Sequence, residues 1–275
     1  MKYVSSRNKN EIVESHNAII QGLAKDGGLF TPENINIHIN VDKLTNLSYQ
    51  QIATKVIHAF LDDFTEEEIS SSVNQAYDNK FDTEEIVPLH KIEDAYLMEL
   101  YHGPTSAFKD IALTLLPHLL IQSYNKENRH DTISILTATS GDTGKAALSG
   151  FADVKHTAII VFYPEVGVSQ VQKKQMQTAT GDNVEVIAVK GNFDDCQRMV
   201  KEATQDPQVL ASLHNVTISS ANSINVGRLI PQVVYYYSSY CKLVKDGAIQ
   251  CGDPVNFVVP TGNFGDILAG YLAYR

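Results

Sequence analysis

Cysteine is scarce in this chain, with only Cys196, Cys241 and Cys251 among 275 residues. So few, so irregularly spaced, exclude a disulfide framework and a tetrahedral zinc site and point to a reducing compartment. Positive charge is also in deficit. Lys and Arg number 22 against 32 Asp and Glu, a formal charge of -10, the wrong sign for a protein that holds nucleic acid by its phosphates. No apolar run approaches the ~20 residues a membrane helix needs, and the N-terminal "MKYVSSRNKNEIVESHNAII" lacks the apolar core of a signal peptide. These absences predict a soluble, cytoplasmic protein with no nucleic-acid or membrane partner and no metal.

Nucleotide signatures are missing too. No G-x-G-x-x-G follows any strand, and "SGDTGKAA" has the wrong glycine spacing for a Walker loop, with Ala146 where a metal-binding hydroxyl belongs. No fixed-period repeat or low-complexity segment appears, and the length suffices for one large or two ordinary domains.

What is present divides near residue 90. In the first part, "SYQQIATKVIHAFL" puts Ile52, Val56, Ile57 and Phe60 on one helical face, and "TEEEISSSVNQAY" opens with Thr65 and Glu68 at capping-box spacing. Residues 1–90 are predicted to form a small, mostly helical domain. Beyond it, the β-branched runs "AYLMELY", "TISILTA", "HTAIIVFYP", "NVEVIAVKG" and "VNFVVPTG" alternate with helical segments. Such alternation predicts an α/β region at 91–275 built on a doubly wound parallel sheet, with ligands at the carboxyl ends of its strands. Two strand-to-helix loops fit that place: "TATSGDTGKAAL" after a strand at 132–138, and "VVPTGNFGDILAGYLAYR" after a strand expected at 255–259. Each joins small residues to a helix N-terminus, which suits an anion.

One lysine stands apart. In "HGPTSAFKD", Lys109 follows a Gly-Pro turn among Ala107, Phe108 and Ile111. Desolvation there would lower an ammonium pKa, as a lysine that attacks aldehydes requires. His102, at the turn, reads as a scaffold residue, since nothing in the sequence pairs it with a carboxylate or a second histidine. Gly27 and Gly28 of "KDGGLFTPE" suit a close turn beside a solvated Lys25 and Asp26.

Taken in order, "GLAKDGGLFTPE", "HGPTSAFKD", "ATSGDTGKAA", "NSINVGR" and "PTGNFGD" make the chain resemble threonine synthase of the longer bacterial and fungal type, along its whole length. The resemblance implies a fold-type II pyridoxal-phosphate enzyme, tryptophan synthase beta-like, with a smaller subdomain at about 131–221 inside a larger one. It implies that Lys109 carries pyridoxal 5'-phosphate as an internal aldimine and moves protons among the substrate carbons. Gly262, Asn263, Phe264 and Gly265 would hold the cofactor phosphate, and Asp142 would lie beside the cofactor ring. Ser140, Gly141 and Thr143 would receive the substrate carboxylate, and Asn222, Ser223, Asn225 and Arg228 its phosphate. Many relatives of this fold carry Asn where Asp142 stands, and a carboxylate cannot donate a hydrogen bond unless protonated. Ser223 reads equally as a phosphate donor and as the N-cap of the helix that follows.

The implied reaction converts O-phospho-L-homoserine and water to L-threonine and phosphate, in a monomer or homodimer. The sequence stops at "AGYLAYR" with no glycine stop or closing strand. On the resemblance this predicts a truncated chain, missing the C-terminal part of the fold and inactive or weakly active alone. Two alternatives remain open at this point. One is another lyase of the same fold, a serine or threonine dehydratase or a cysteate-forming relative, which would not need Arg228. The other is a non-catalytic interaction fragment.

Overall fold

The computed structural model describes residues 1–275, the side chain of Gln205 excepted. The chain opens with a small antiparallel sheet in which β1 (Lys2–Ser5) lies between β2 (Ile12–Glu14) and β3 (Phe30–Pro32). This sheet escaped the sequence pattern because strands of three or four residues carry too little alternation to register. Helices α1 (Ser15–Gln21), α2 (Tyr49–Phe60) and α3 (Glu66–Ala76) complete the unit. Thr65 and Glu68 form the expected capping box, and Ser48 with Gln51 forms a second one ahead of α2. Ile52, Val56, Ile57 and Phe60 are all buried, and the Tyr3 hydroxyl donates to Phe60 O at 3.0 Å, tying sheet to helix.

Asp26 is not merely solvated, as its sequence context suggested. Its carboxylate accepts from Gly28 N at 2.8 Å and from Ser5 Oγ at 2.8 Å. The Gly28 amide, then the Ser5 hydroxyl, hold its pKa below the ordinary carboxylate value. Gly27 has φ +77, and a Cβ on Gly28 would lie 2.1 Å from Ser5 Oγ, so both glycines are required by this tight return.

Strands β4 (Leu89–Ile92) and β5 (Ala95–Met98) then pair as an antiparallel hairpin. "AYLMELY" is therefore not a buried parallel strand: Ile92, Tyr96 and Leu97 are exposed, and a two-residue turn at Glu93 and Asp94 brings β5 back on its neighbour. After it comes α4 (Asp110–Lys126). The parallel sheet follows: β6 (Thr132–Ala138), α5 (Asp142–Phe151), β7 (Thr157–Pro164), α6 (Gln170–Gln177), β8 (Val184–Val189), α7 (Phe193–Gln205), α8 (Pro207–Ser212) and β9 (Val216–Ser219). Its order is β8-β7-β6-β9, all parallel. The chain steps outward from β6 to β8 and then crosses back to place β9 on the other side of β6. The strand order reverses between β6 and β9, and such a reversal opens a crevice at the carboxyl ends of those two strands. Their outgoing loops carry "TSGDT" and "ANSIN".

Helices α9 (Val226–Lys245) and α10 (Gly265–Tyr274) end the chain. Helix α4 is buried nearly all round, from Asp110 to Tyr124, so it serves as a central post rather than a surface amphipath. Pro117 inside it lacks an N–H and leaves the Leu113 carbonyl without its helical donor. Helix α5 crosses there: a Cβ on Gly150 would lie 2.1 Å from Leu113 O. Gly150→Ala is accordingly expected to destabilise the fold by about 3 kcal/mol, read as a lower urea midpoint followed by circular dichroism. An unchanged midpoint would contradict this close crossing.

The strand expected at 255–259 is not formed. The segment is irregular, Val258 is 95 % exposed, and no strand of the sheet pairs with it. Its residues have the β-branched composition of a strand but no neighbour to complete a ladder, and ladder hydrogen bonds are what make a strand.

Candidate active site

Lys109 is the N-cap residue of the central helix α4. The loop before it is wound around the next side chain: Asp110, fully buried, accepts from Thr105 N at 2.8 Å, Thr105 Oγ1 at 2.6 Å and Ala107 N at 3.4 Å. Burial pushes the Asp110 pKa up, against these hydrogen bonds. A Cβ on Gly103 would lie 2.5 Å from Asp110 Cβ, which explains the glycine of the Gly-Pro turn. The lysine side chain is thus aimed by a rigid, internally bonded turn. It is 12 % exposed, with Nζ 4.5 Å from the Phe108 ring centroid and 3.8 Å from Asp142 Oδ2. Desolvation lowers its pKa, opposed by Asp142 and assisted by Arg228 and Lys145. The positive end of α4 acts in the same direction as the desolvation.

Across the crevice, Thr139 Oγ1 accepts from Gly141 N at 3.0 Å and Gly144 N at 2.9 Å, folding the loop over the end of β6. Asp142, at the start of α5, accepts from Gln172 Nε2 at 2.7 Å and lies 3.3 Å from Lys145 Nζ. Burial raises its pKa, but the Gln172 amide and the charges of Lys145 and Lys109 outweigh that and keep it lowered. A Cβ on Gly141 would meet the Gln172 amide at 2.6 Å, so the glycine permits this approach.

The "NSINVGR" stretch divides in two. Asn225, not Ser223, caps α9: its side chain accepts from Gly227 N at 2.8 Å and donates to Ile19 O at 3.0 Å. It is fully buried and turned away from the crevice, whereas Asn222, Ser223 and Arg228 line it. Arg228 is only 3 % exposed and donates one hydrogen bond, from Nη1 to Ala221 O at 2.8 Å. Burial brings its pKa down to about 10, and no carboxylate is among the groups acting on it. A buried guanidinium facing a cleft without a counter-charge is a place prepared for an anion.

The last loop leads into α10, with Phe264 as N-cap residue and 70 % exposed. Helix α10 is held to α9 by Asp266, whose Oδ1 accepts from the hydroxyls of Tyr235 at 2.5 Å and Tyr236 at 2.8 Å. A Cβ on Gly262 would meet nothing within 4 Å, leaving open space in front of the loop.

These pieces border one cleft of about 500 Å³, lined by Lys109, Ser140 to Thr143, Asn222, Ser223, Arg228 and Asn263. Gly262, Phe264 and Gly265 flank it without lining it. The sequence reading missed Gln172, Phe193 and Gln197, which α6 and α7 bring to the same cleft; no motif marks them. It also missed the partners of His102, which lies 2.5 Å from Asp82 Oδ1 and 2.8 Å from Glu99 Oε2. The Glu99 hydrogen bond first, then Asp82, raises its pKa. This bracing ties the start of the lysine loop to the β4–β5 hairpin and supports a scaffold role.

Comparison with known proteins fits this geometry. Residues 82–275 match the family described as pyridoxal-phosphate dependent enzyme. The chain belongs to that family. Residues 2–77 match a second family, described as threonine synthase N terminus. Threonine synthase of Pseudomonas aeruginosa is 38% identical over 281 residues, 99% of this chain and 57% of the relative. Human threonine synthase-like 1 is 38% identical over 272 residues, 93% of this chain and 36% of the relative. The crystal structure of pyridoxal-phosphate-bound threonine synthase from Brucella melitensis superposes with a TM-score of 0.89 at 36% identity, covering 100% of this chain and 57% of that one. The fold is that of the fold-type II pyridoxal-phosphate enzymes, and the chain spans little more than half the length of these threonine synthases. Among the described residues, no helix is long and apolar enough to cross a membrane, and no cluster of His, Cys, Asp or Glu has the form of a metal site.

The residues present fit pyridoxal phosphate. A partly desolvated primary amine lines the cleft, and the open backbone at Gly262 and the helix N-terminus of α10 have the chemistry that suits a phosphate.

Proposed function

We propose that this chain carries the amine-bearing site of a threonine synthase, the enzyme that turns O-phospho-L-homoserine and water into L-threonine and phosphate. One observation carries the reading: Arg228, buried and without a carboxylate, faces the same cleft as Lys109. An aldehyde cofactor accounts for the lysine, and a second anionic group, on the substrate, accounts for the arginine.

Lys109 has two tasks in this reading. Its neutral amine holds the cofactor, and once released its Nζ accepts and returns protons at the substrate carbons from a fixed position on the α4 N-terminus. Ser140 and Thr143 hydroxyls orient the substrate carboxylate at the α5 N-terminus, beside a Gly141 amide that is given to Thr139 Oγ1. Asn222, Ser223 and the Arg228 fork bind the phosphate that leaves from Cγ. Arg228 gives the cleft a positive charge with no carboxylate acting on it, on a chain of net charge -10, which favours a phosphorylated substrate there. Bound pyridoxal phosphate would supply the electron sink for carbanions at Cα and Cβ.

The test is spectroscopic. Pyridoxal phosphate added to the chain is expected to give a visible band. In a chain of the relatives' length carrying this sequence, phosphohomoserine is expected to change that band and release inorganic phosphate. A band that ignores phosphohomoserine while responding to serine or threonine would favour a dehydratase instead.

A further inference from the structure

Lys145 lies outside every motif role assigned above, yet its side chain is only 10 % exposed. It stands one turn after Asp142 on α5, where Nζ donates to Thr105 O at 3.0 Å and lies 3.3 Å from Asp142 Oδ1. Thr105 is the residue that grips Asp110, next to Lys109. Lys145 therefore bridges the two loops on either side of Lys109. Asp142 is the only carboxylate within 4.0 Å of Lys109 Nζ among the described residues, and it is shared between two partly buried ammonium groups. The sharing is unequal. Lys145 has a carbonyl and a carboxylate oxygen at hydrogen-bonding range, and Gln172 holds that same oxygen at 2.7 Å. Lys109 has the other oxygen at 3.8 Å and an aromatic face. Of the two amines, Lys145 therefore has the closer hold on Asp142.

We propose that Lys145 is a positioning residue that draws Asp142 to itself and leaves Lys109 as the uncharged amine of the pair. This rests on the reading of Lys109 as the cofactor-holding amine, but its test needs no cofactor. The charged groups facing Lys109 are Asp142, Arg228, Lys145 and Asp110, and only Lys145 is altered. The cofactor-free chain is acetylated with acetic anhydride across a pH series, and the extent at Lys109 is read by peptide mass spectrometry.

Lys145→Gln keeps a donor toward Thr105 O but removes the charge. It is expected to move the Lys109 midpoint up by about one pH unit, a roughly tenfold slower reaction at a fixed pH below the midpoint. Lys145→Arg should keep the wild-type profile, and Lys145→Met should follow Lys145→Gln. A wild-type midpoint in Lys145→Gln, or an equal shift in Lys145→Arg, overturns the proposal; should Lys145→Met fail to fold, Lys145→Gln decides. If the midpoint moves as expected while pyridoxal phosphate gives no visible band, the functional reading fails and this inference stands. If the band forms and the midpoint does not move, the inference alone fails.

Discussion

Lys109→Ala is expected to eliminate the visible band given by pyridoxal phosphate and, in a chain of the relatives' length, to lower phosphate release from phosphohomoserine by at least about 10³-fold, the upper part of the range for losing a positioned acid–base group. The expectation follows from where the amine stands. It is fixed on the N-terminus of the most buried helix of the fold, aimed by a loop whose hydrogen bonds converge on Asp110, and partly stripped of water. The one nearby rival is Lys145. Its ammonium is engaged by Thr105 O and Asp142, so it is poorly placed to take over. Lys109→Arg should be as damaging as Lys109→Ala, because a guanidinium stays protonated and forms no bond with the aldehyde. Lys109→Ala should not unfold the protein, since truncating a partly desolvated amine relieves a burial cost. A band that survives Lys109→Ala in a folded protein would overturn the assignment and direct attention to Lys145.

How far the sequence foretells this site depends on whether a residue's partners are local. The capping box at Thr65 and Glu68 and the full span of β6 were legible because each is decided within a few residues. The desolvation of Lys109 was legible for a related reason: its turn, its apolar neighbours and the helix it opens are contiguous. Long-range pairing was not. The segment 255–259 has strand composition but no ladder partner, and β5 pairs backward with β4 instead of joining the parallel sheet. Asn225 rather than Ser223 caps α9 because its amide also reaches Ile19 O, more than two hundred residues away in sequence. His102 shows the same limit, for Asp82 lies twenty residues upstream and becomes a neighbour only when the hairpin folds. Gln172, Phe193 and Gln197 reach the cleft through the crossover geometry of the sheet, which no local pattern records.

Arg228→Gln is the change that separates a phosphorylated substrate from the alternatives. Removing one partner of a buried, hydrogen-bonded charge pair costs about 2–5 kcal/mol, and each 1.4 kcal/mol is about tenfold. KM for phosphohomoserine should therefore rise by roughly 30- to 4,000-fold. The cofactor band should stay, because the proposed cofactor contacts lie at Lys109 and on the loop entering α10, not on α9. Inorganic phosphate should compete with substrate in the wild-type protein and lose that effect in the variant. Lys in place of Arg228 is not expected to rescue, since a point charge cannot reproduce the fork that already spends one N–H on Ala221 O. A purely structural arginine would behave differently: the variant would then lose unfolding stability and cofactor binding together, with no selective effect on phosphorylated ligands. Equal activity of wild type and variant toward a substrate without a γ-phosphate, with phosphohomoserine unused by both, would instead identify a dehydratase. The buried guanidinium would then be a charge that nothing in the reaction uses, at a desolvation cost of several kcal/mol, and that cost is the physical reason to expect the phosphate.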